Sequence, residues 1–299
     1  MKVLVSGSTG LIGSALVRGL AGAGHGVTRL VRSSLGAGLD GVRWDPEAGA
    51  VDLEGMEGHD AVVHLSGENI AGARWTPERK ARIRDSRVGG TRLLCDALLR
   101  LDRPPQVLVC ASATGYYGDR GGEVLREESP PGKGFLAEVC REWEAATEGV
   151  VRNGLRVVNL RIGMVLCAEG GALEKMLPAF RSGVGGRIGS GEQFMSWIAL
   201  PDLVGVIRHA LSSASLQGPV NAVAPHPVTN REFTKTLGRV LGRPTVALLP
   251  AFVVRLLFGE MADELLLASA RVAPAKLLAS GYRFAFPELE TALRPLLGK

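Results

Sequence analysis

The sequence predicts an α/β fold, with a doubly wound parallel sheet covered by helices on both faces and a smaller, mainly helical C-terminal region. A short apolar strand at residues 3–6 runs directly into a glycine-rich turn and then into a helix. Further β-branched runs recur through the first half of the chain, and helical patterns separate them. Strands that alternate with helices are typical of parallel sheets with right-handed crossovers. The first half of the chain is therefore predicted to be a Rossmann-type domain.

Apolar runs and turn residues place the remaining elements. Regularity weakens beyond Val165, where a glycine-rich stretch occupies residues 183–191. We therefore assign residues 1–165 to a nucleotide-binding domain, to which later strands can add, and residues 166–299 to a substrate-side and cap region. The further predicted strands are Gly26–Arg32, Asp60–Gly67, Gln106–Ser112 and Leu155–Ile162, and the predicted helices are Pro77–Leu99, Gly134–Val150, Asp202–Leu211 and several after Pro244.

The turn after the first strand is the predicted nucleotide site. Gly7 permits a tight turn, Gly10 lets the backbone approach a pyrophosphate, and Gly13 lets the helix pack closely on the sheet. The helix N-terminus adds free N–H groups for an anion. The G-x-x-G-x-x-G spacing is only close to the commoner G-x-G-x-x-G, and a turn that merely closes the fold is the alternative. The strand-turn-helix context favours binding, and the segment also contains Thr9, Leu11 and Ile12.

The residue that ends the second strand favours NADP(H) over NAD(H). A carboxylate there accepts hydrogen bonds from the ribose 2′-OH but repels a 2′-phosphate. This sequence has Arg32 instead, followed by Ser33 and Ser34. A guanidinium binds phosphate through paired, charge-assisted hydrogen bonds. A solvated surface arginine is the alternative.

The charge and hydropathy of the sequence favour a small-molecule partner over a nucleic acid or a membrane. The formal net charge of +5 over 299 residues comes without a basic tract, so no nucleic-acid partner is predicted. No secretory signal is evident, and the longest apolar region, Leu248–Leu267, contains charged residues that disfavour a membrane span. The four cysteines and five histidines lack metal-site spacing, so no metal is predicted and the thiols are expected to be reduced in the cytoplasm.

Motifs further along the chain are typical of fewer proteins than the glycine turn is. Residues 67–70 read Gly-Glu-Asn-Ile, residues 135–140 read Phe-Leu-Ala-Glu-Val-Cys, and residues 188–191 read Ile-Gly-Ser-Gly. The Gly-Ser-Thr-Gly-Leu-Ile-Gly turn, with Val-Val-His-Leu-Ser-Gly at residues 62–67 and Gly-Gly-Thr-Arg-Leu-Leu at residues 89–94, resembles the extended short-chain dehydrogenase/reductase superfamily, and the three later motifs are specific to one subgroup. Within it the chain is similar to the atypical subgroup labelled epimerase family proteins, which are NAD(P)-dependent epimerase/dehydratase-like and are also labelled cell-division-inhibitor-like. The resemblance covers essentially the whole chain.

The resemblance implies further cofactor contacts. Leu65, Ser66 and Gly67 would lie along the adenosine side, and Val165 would pass near the nicotinamide. Arg87 would face the cleft, where other extended members usually have an asparagine four residues before the threonine that is Thr91 here. Arg82 would share that role, and a charged, solvated helix face is the alternative for both arginines.

The usual catalytic pair of this superfamily is missing. Hydride chemistry there generally uses a tyrosine whose pKa is lowered by a lysine four residues later, because a phenol with a pKa of about 10 is a poor base at neutral pH. No Tyr-x-x-x-Lys occurs in the corresponding helix, in either plausible register. The catalytic candidates that remain are Ser112, Tyr116 and Tyr117, with Thr114 as a second candidate for orienting the substrate.

These candidates leave alternatives open. The register also admits Ala113 at the place of the orienting serine. Tyr116 and Tyr117 could instead wall the nicotinamide pocket as hydrogen-bonded aromatic packing, which we prefer. Ser196 and Trp197, in a segment that returns to the cleft, are candidates for substrate contact, although burial explains Trp197 equally well.

Two functions follow from these features. The intact cofactor half favours an NADP(H)-dependent oxidoreductase or epimerase-like enzyme that acts on a small carbonyl or sugar-derived substrate. The missing catalytic pair favours a non-catalytic sensor or regulatory protein that holds NADPH. The glycine-rich stretch and the cap lean towards the enzyme because they can enclose a ligand. The resemblance also allows a homodimer.

Overall fold

A computed structural model describes residues 1–32 and 41–299, and a central sheet dominates it. The strands are β1 (Lys2–Ser6), β2 (Gly26–Arg32), β3 (Val42–Asp45), β4 (Ala50–Val51), β5 (Ala61–His64), β6 (Val107–Ala113), β7 (Val124–Leu125), β8 (Arg156–Ile162), β9 (Met164–Cys167), β10 (Gly186–Ile188), β11 (Phe194–Met195), β12 (Trp197–Ala199), β13 (Gly218–Ala222), β14 (Val228–Thr229), β15 (Ala247–Leu249) and β16 (Arg271–Val272).

Helices cover the sheet and build the C-terminal region. A 3₁₀ turn spans Thr114–Tyr117, and a π-helical turn spans Ala262–Leu266. The α-helices are α1 (Leu11–Gly22), α2 (Leu53–Met56), α3 (Pro77–Leu98), α4 (Phe135–Ala145), α5 (Glu148–Arg152), α6 (Gly171–Arg181), α7 (Leu200–Ser212), α8 (Asn230–Leu241), α9 (Ala251–Phe258), α10 (Ala275–Ala279) and α11 (Leu289–Leu296).

Eight strands form the main sheet in the order β13-β8-β6-β5-β1-β2-β3-β4. All neighbours are parallel except β3 and β4. The strand order reverses between β1 and β5, so the loops that follow these two strands diverge. A crevice opens at such a switch point, beyond the carboxyl ends of the strands, and ligands bind there in open α/β sheets. The predicted doubly wound α/β class is confirmed.

Two apolar layers hold helices on opposite faces of the sheet. Leu16 and Leu20 of α1 and Val206 of α7 are fully buried on one face. Leu94 of α3 and Trp143 of α4 are buried on the other. Each such side chain contributes about 1.5–3 kcal/mol through removal from water.

The structure corrects several predicted elements. The single predicted helix Gly134–Val150 is two helices, α4 and α5, because the chain turns at Thr147, whose hydroxyl donates to the Glu144 carbonyl and accepts from Asn159. The strand predicted from Asp60 to Gly67 ends at His64. The elements that the sequence analysis did not predict include β3, β4, α2 and β13.

The C-terminal region is mainly helical, as predicted, but it also contains short strands. β15 pairs with β10, and β16 pairs with β7 beside the main sheet. A third buried cluster joins α6, α8 and α11 around Trp197 and Phe233. Among the described residues, no helix is both long and apolar enough to cross a bilayer.

Candidate cofactor and substrate site

The glycine turn forms a tight cradle after β1. Gly7 has a φ of 65°, which favours glycine, and an added Cβ would lie 2.8 Å from the backbone carbon of Leu65. A Cβ on Gly13 would collide with the Gly7 carbonyl. Gly10 is exposed, and its nearest neighbour would be the Gly7 oxygen at 3.4 Å. Backbone packing therefore requires Gly7 and Gly13, whereas Gly10 faces open space where a ligand can approach.

The start of α1 supplies the positive end of this cradle. Gly10 is the N-cap, with no capping side chain and no acidic residue in the first turn. The free N–H groups therefore remain available to an anion. Thr9 is exposed, and Leu11 and Ile12 are half-buried. Added Cβ atoms on Gly170 and Gly171 would lie 2.8 and 3.3 Å from Leu11 methyl groups, so the start of α6 packs against the start of α1.

Arg32 is exposed at the end of β2, opposite Trp44 of β3. Ser33 and Ser34 lie outside the described residues. Val165, in β9, is half-buried and packs against the α1 and α7 side of the core.

Arg87 lies at the wall of the crevice beside the segment that follows β5. An added Cβ on Gly67 would be 3.3 Å from its guanidinium carbon, and that carbon lies 5.2 Å from the Trp143 ring centroid. Its hydrogen bond within the described residues goes from Nη1 to the Ile83 carbonyl, at 3.2 Å. Burial lowers the pKa of Arg87. A partly desolvated guanidinium with free N–H groups is suited to bind an anion. Leu65 and Ser66 are half-buried nearby, and Gly67 is exposed.

Arg82 is placed differently from Arg87. It is exposed on α3, close enough to Glu78 for their charges to interact. This position matches the solvated helix face that was the alternative for both arginines.

A buried polar network occupies the carboxyl ends of β6 and β8. The Ser112 hydroxyl donates to Glu144 Oε1 at 2.7 Å, and Ser112 is 3% exposed. Arg161 binds both Glu144 oxygens, from Nε and Nη2, at 2.8 Å each. Although burial opposes it, the Glu144 carboxylate raises the pKa of Arg161. The predicted role of Ser112 in orienting a substrate does not fit this geometry, because the fold itself uses its proton.

Tyr117 belongs to the same network and is fully buried. Its hydroxyl accepts from Arg161 Nη1 at 2.9 Å and can donate to Asn221 Oδ1 at 2.7 Å or to the Arg126 carbonyl at 2.9 Å. Burial raises the pKa of Tyr117 to about 12. These contacts favour the alternative of hydrogen-bonded aromatic packing for Tyr117, and its catalytic role stays a prediction.

Tyr116 differs from its neighbour. It is half-buried, and the Arg161 guanidinium carbon lies 3.5 Å from its ring centroid. The Tyr117 ring meets it edge-on, with centroids 5.3 Å apart. The hydroxyl groups of Tyr116 and Thr114 make no hydrogen bond to any described residue. These two hydroxyls are therefore free to meet a ligand.

The 3₁₀ turn packs closely on α4. An added Cβ on Gly115 would lie 3.3 Å from Leu136 and 3.9 Å from the Cys140 sulfur. Leu136 and Cys140 stand four residues apart on this helix, and neither is a tyrosine or a lysine. Burial raises the pKa of the Cys140 thiol to about 12, so this thiol does not replace the missing lysine.

Ser196 and Trp197 are buried and hydrogen-bonded within the fold, which favours a structural role over the predicted substrate contact. The Ser196 hydroxyl donates to the Ala270 carbonyl at 2.7 Å and accepts from Val272 N at 2.9 Å. Trp197 is fully buried, and its Nε1 donates to the His226 carbonyl.

Sequence reasoning missed Glu144, Asn221 and Glu264. Glu264 lies in the π-helical turn and accepts hydrogen bonds from the N–H groups of Phe135 and Leu136, at 2.7 and 2.8 Å. No local pattern indicates such a distant contact. A usable signal did exist for Asn221, because Ser112, Arg161 and Asn221 are polar residues near the carboxyl ends of three neighbouring strands and lie side by side.

Two further side-chain contacts join the C-terminal region to the Rossmann half. Lys175 Nζ donates to the Ala71 carbonyl at 3.0 Å. Lys80 pairs with Glu260 at 2.7 Å and lies 4.6 Å from the Phe135 ring centroid.

The glycine cradle at the switch point and the arginines beside it define a Rossmann-type dinucleotide-binding protein. The chain belongs to the NAD dependent epimerase/dehydratase family, which it matches over residues 3–222, and residues 249–296 match a domain of unknown function. The resemblance to epimerase family proteins is thereby confirmed.

Relatives in bacteria and animals extend over nearly the whole chain. Epimerase family protein Mb2239 of Mycobacterium bovis is 45% identical over 94% of this chain and 93% of its own length. Human epimerase family protein SDR39U1 is 40% identical over 99% of this chain and 100% of its own. The crystal structure of the human protein with NADPH superimposes with a TM-score of 0.91, at 38% identity, and covers all of both chains. A nucleoside-diphosphate sugar epimerase from Corynebacterium glutamicum is 37% identical with a TM-score of 0.81, over 100% of this chain and 58% of the other.

Proposed function

We propose that this protein is an NADP(H)-dependent oxidoreductase or epimerase-like enzyme that acts on a small carbonyl or sugar-derived substrate. The observation that carries the proposal is the pair of free hydroxyls on Thr114 and Tyr116, at the same sheet edge as the glycine cradle. Hydroxyl donors at this edge are suited to hold a carbonyl oxygen. The family match adds support.

NADP(H) is the cofactor that these residues fit best. The space in front of Gly10, the N-terminus of α1 and the free N–H groups of Arg87 suit a pyrophosphate. The exposed Arg32 suits a 2′-phosphate, and the human relative was solved with NADPH. NADP(H), when bound, exchanges a hydride with the substrate. The chain then has to orient the substrate oxygen and hold a proton for it, roles that we assign to Thr114 and Tyr116 respectively.

The cofactor preference can be tested at Arg32. We expect Arg32→Ala to weaken NADPH binding about tenfold or more and to leave NADH binding unchanged, because a charge-assisted hydrogen bond contributes about 1.5–3 kcal/mol. Fluorescence titration with both nucleotides measures the effect. Arg43→Ala, an exposed arginine on the neighbouring strand β3, is the control. An unchanged preference in Arg32→Ala would remove this argument for NADP(H).

Turnover can be tested with a broad panel of carbonyl compounds and nucleotide sugars. We expect at least one compound to cause NADPH oxidation or epimerisation. Tyr116→Phe should lower that rate by about a hundredfold or more, with little change in NADPH affinity. Tight NADPH binding without turnover of any compound would count against the enzyme.

A non-catalytic NADPH-binding sensor is the second candidate. The observation that favours it is the use of the Ser112 and Tyr117 hydroxyls inside the fold, on a chain that lacks the Tyr-x-x-x-Lys pair. A sensor should bind NADPH tightly and change a surface that a partner recognises. Tyr116→Phe would then leave both NADPH binding and partner recognition unchanged.

We also propose the cytoplasm as the location of the protein. The four cysteines are unpaired and buried, which fits a reducing compartment. Production of the protein in an oxidising compartment should not raise its stability through disulfide bonds, because the four thiols are buried and unpaired. A homodimer is proposed from the family resemblance alone, and sedimentation at micromolar concentration tests it.

A further inference from the structure

Arg161 has an unusual place for a charged residue. It lies in the central strand β8, directly beside Ser112 of β6 and Asn221 of β13. Its side chain is 3% exposed, and that of its partner Glu144 is 13% exposed. Removing both charges from water is unfavourable, and a buried ion pair can often be replaced by apolar residues without loss of stability. Stability alone therefore does not explain this pair.

Hydrogen bonds set the guanidinium plane. Glu144 accepts two of them, from Nε and Nη2, in the bidentate arrangement that suits an arginine. Nη1 donates to the Tyr117 hydroxyl at 2.9 Å and to the Glu127 carbonyl at 3.0 Å. Partners from α4, the 3₁₀ turn and the following loop therefore hold the plane in one orientation.

Tyr116 lies on this plane. The guanidinium carbon is 3.5 Å from its ring centroid, which is stacking distance, and the Tyr117 ring closes one edge. The Tyr116 carbonyl accepts from Gly132 N at 2.9 Å, and Gly115 packs against Leu136. The backbone on both sides is thus held, and the remaining freedom of the ring is limited by Arg161.

We propose that Arg161, oriented by Glu144, is the positioning residue that aims the Tyr116 hydroxyl at the substrate. It fixes this phenol from beneath the ring, whereas the superfamily pattern places its cation on the same helix as its tyrosine. The inference rests on the proposed function for its chemistry, but the position of the ring can be measured without a substrate. A displacement of about 1 Å in a reacting group lowers rates by about a hundredfold.

The chain contains only three tyrosines, so fluorotyrosine labelling gives three ¹⁹F resonances. Tyr116→Phe and Tyr117→Phe assign two of them, and Tyr282 serves as an internal reference. The test variant is the double substitution Arg161→Met with Glu144→Leu, which replaces the pair by apolar side chains and avoids an unpaired buried charge. Arg161→Lys keeps the charge but removes the plane.

The matched control is Arg156→Met. Arg156 is a partly buried arginine at the opposite end of β8, where it donates to the carbonyls of Ala210, Leu211 and Leu216. Its loss should lower the unfolding temperature and leave the Tyr116 resonance in place. In the double variant, the Tyr116 resonance should shift and the ring should become more mobile. The Tyr282 resonance should stay unchanged, and the NADPH affinity should stay nearly that of the wild type.

The outcomes separate the two proposals. A Tyr116 resonance that stays at its wild-type position in both the double variant and Arg161→Lys overturns the positioning role, whatever the activity. A more mobile Tyr116 ring, measured by ¹⁹F relaxation, supports it, whereas a resonance that shifts without a gain in mobility also overturns it, because loss of a charge 3.5 Å away moves the resonance by itself. If the double variant does not fold, Arg161→Lys and Glu144→Gln decide by the same resonance. Once a substrate is known, kcat should fall about a hundredfold in the double variant with the KM for NADPH unchanged, whereas failure of the whole compound panel refutes the proposed function alone.

Discussion

Gly13 and Gly10 stand three residues apart but differ in the space around them. A Cβ on Gly13 meets the Gly7 carbonyl, whereas one on Gly10 has 3.4 Å to its nearest neighbour. We expect Gly13→Ala to lower the free energy of unfolding by about 1–3 kcal/mol and to abolish NADPH binding, because the turn must move.

Gly10→Ala is the control for this change. It should retain stability within about 0.5 kcal/mol and weaken only nucleotide binding, since its methyl group points to the ligand side. Urea unfolding and fluorescence titration measure both quantities. Equal stability losses in the two variants would contradict this account of the cradle.

The burial of His64 predicts a dependence of stability on pH. His64 is fully buried at the end of β5, its Nδ1 is hydrogen-bonded to the Ser6 hydroxyl at 2.7 Å, and Trp44 lies edge-on at 5.7 Å. Burial lowers the pKa of His64 from 6.5 to about 4. Between these values the unfolded chain binds a proton that the folded chain does not, so the folded state loses stability as the pH falls from 6.5 towards 4.

The loss due to His64 alone should reach roughly 3 kcal/mol at the acid end of this range. His64→Asn keeps an acceptor for Ser6 but has no titrating ring. The pH dependence of its urea midpoint should therefore be flatter than that of the wild type in this window. Parallel curves for the two proteins would show that His64 does not titrate as described.

The position of some site residues can be predicted from the sequence, and that of others cannot. Gly7 and Arg32 were predictable because a local pattern, a strand followed by a turn or a strand end, defines their place. Tyr116 and Tyr117 were not distinguishable, because adjacent side chains of the same type differ only in which one turns inward. The contact of Glu264 with α4 joins residues that lie far apart in the chain, so it leaves no local signal.

At the scale of elements, α4 begins in an unusual way. Its N-cap is Gly134, which offers no side chain, and Glu264 from the distant π-helical turn binds the first two N–H groups. π-Helical turns are frequent at functional sites. The helix that shapes the candidate site thus depends on the C-terminal region for its start.

Glu264→Ala should lower the free energy of unfolding by about 1 kcal/mol, which is typical of a lost N-cap. Glu264→Gln should have a smaller effect because an acceptor oxygen remains. Glu138→Ala is the matched control, since Glu138 is exposed on the same helix and its Arg84 pair is long, at 3.6 Å. Chemical unfolding measures all three. Identical values for Glu264→Ala and Glu138→Ala would contradict the capping role.

Elements also differ in their predictability. β1, β2, β5 and β6 were found because they are apolar or β-branched runs with glycine or proline near their ends. β13 was missed because Pro219 and Asn221 disguise a five-residue strand, and proline is tolerated there only because this strand is at the edge of the sheet. The break between α4 and α5 depends on Asn159, a partner from β8 that no helical pattern shows.

At the scale of the whole molecule, the two parts of the chain share one sheet. β13 comes from beyond residue 165 and pairs with all but the first two residues of β8. Helix α7 covers the same face as α1. We expect one cooperative thermal transition for the full chain, measured by calorimetry with equal calorimetric and van't Hoff enthalpies. Two separate transitions, with NADPH raising only the first, would contradict this coupling.

Because β13 lies late in the sequence, its residues emerge from the ribosome long after those of the glycine cradle. The glycine cradle is complete once the first strands and α1 have left the ribosome. Tyr117 has no side-chain acceptor until Asn221 has emerged, and Asn221 in turn donates to the carbonyl of Ala273. A nascent chain therefore exposes the residues of the glycine cradle well before Asn221 and Ala273 complete the hydrogen bonds around Tyr117, and that buried network is finished only when synthesis is nearly over.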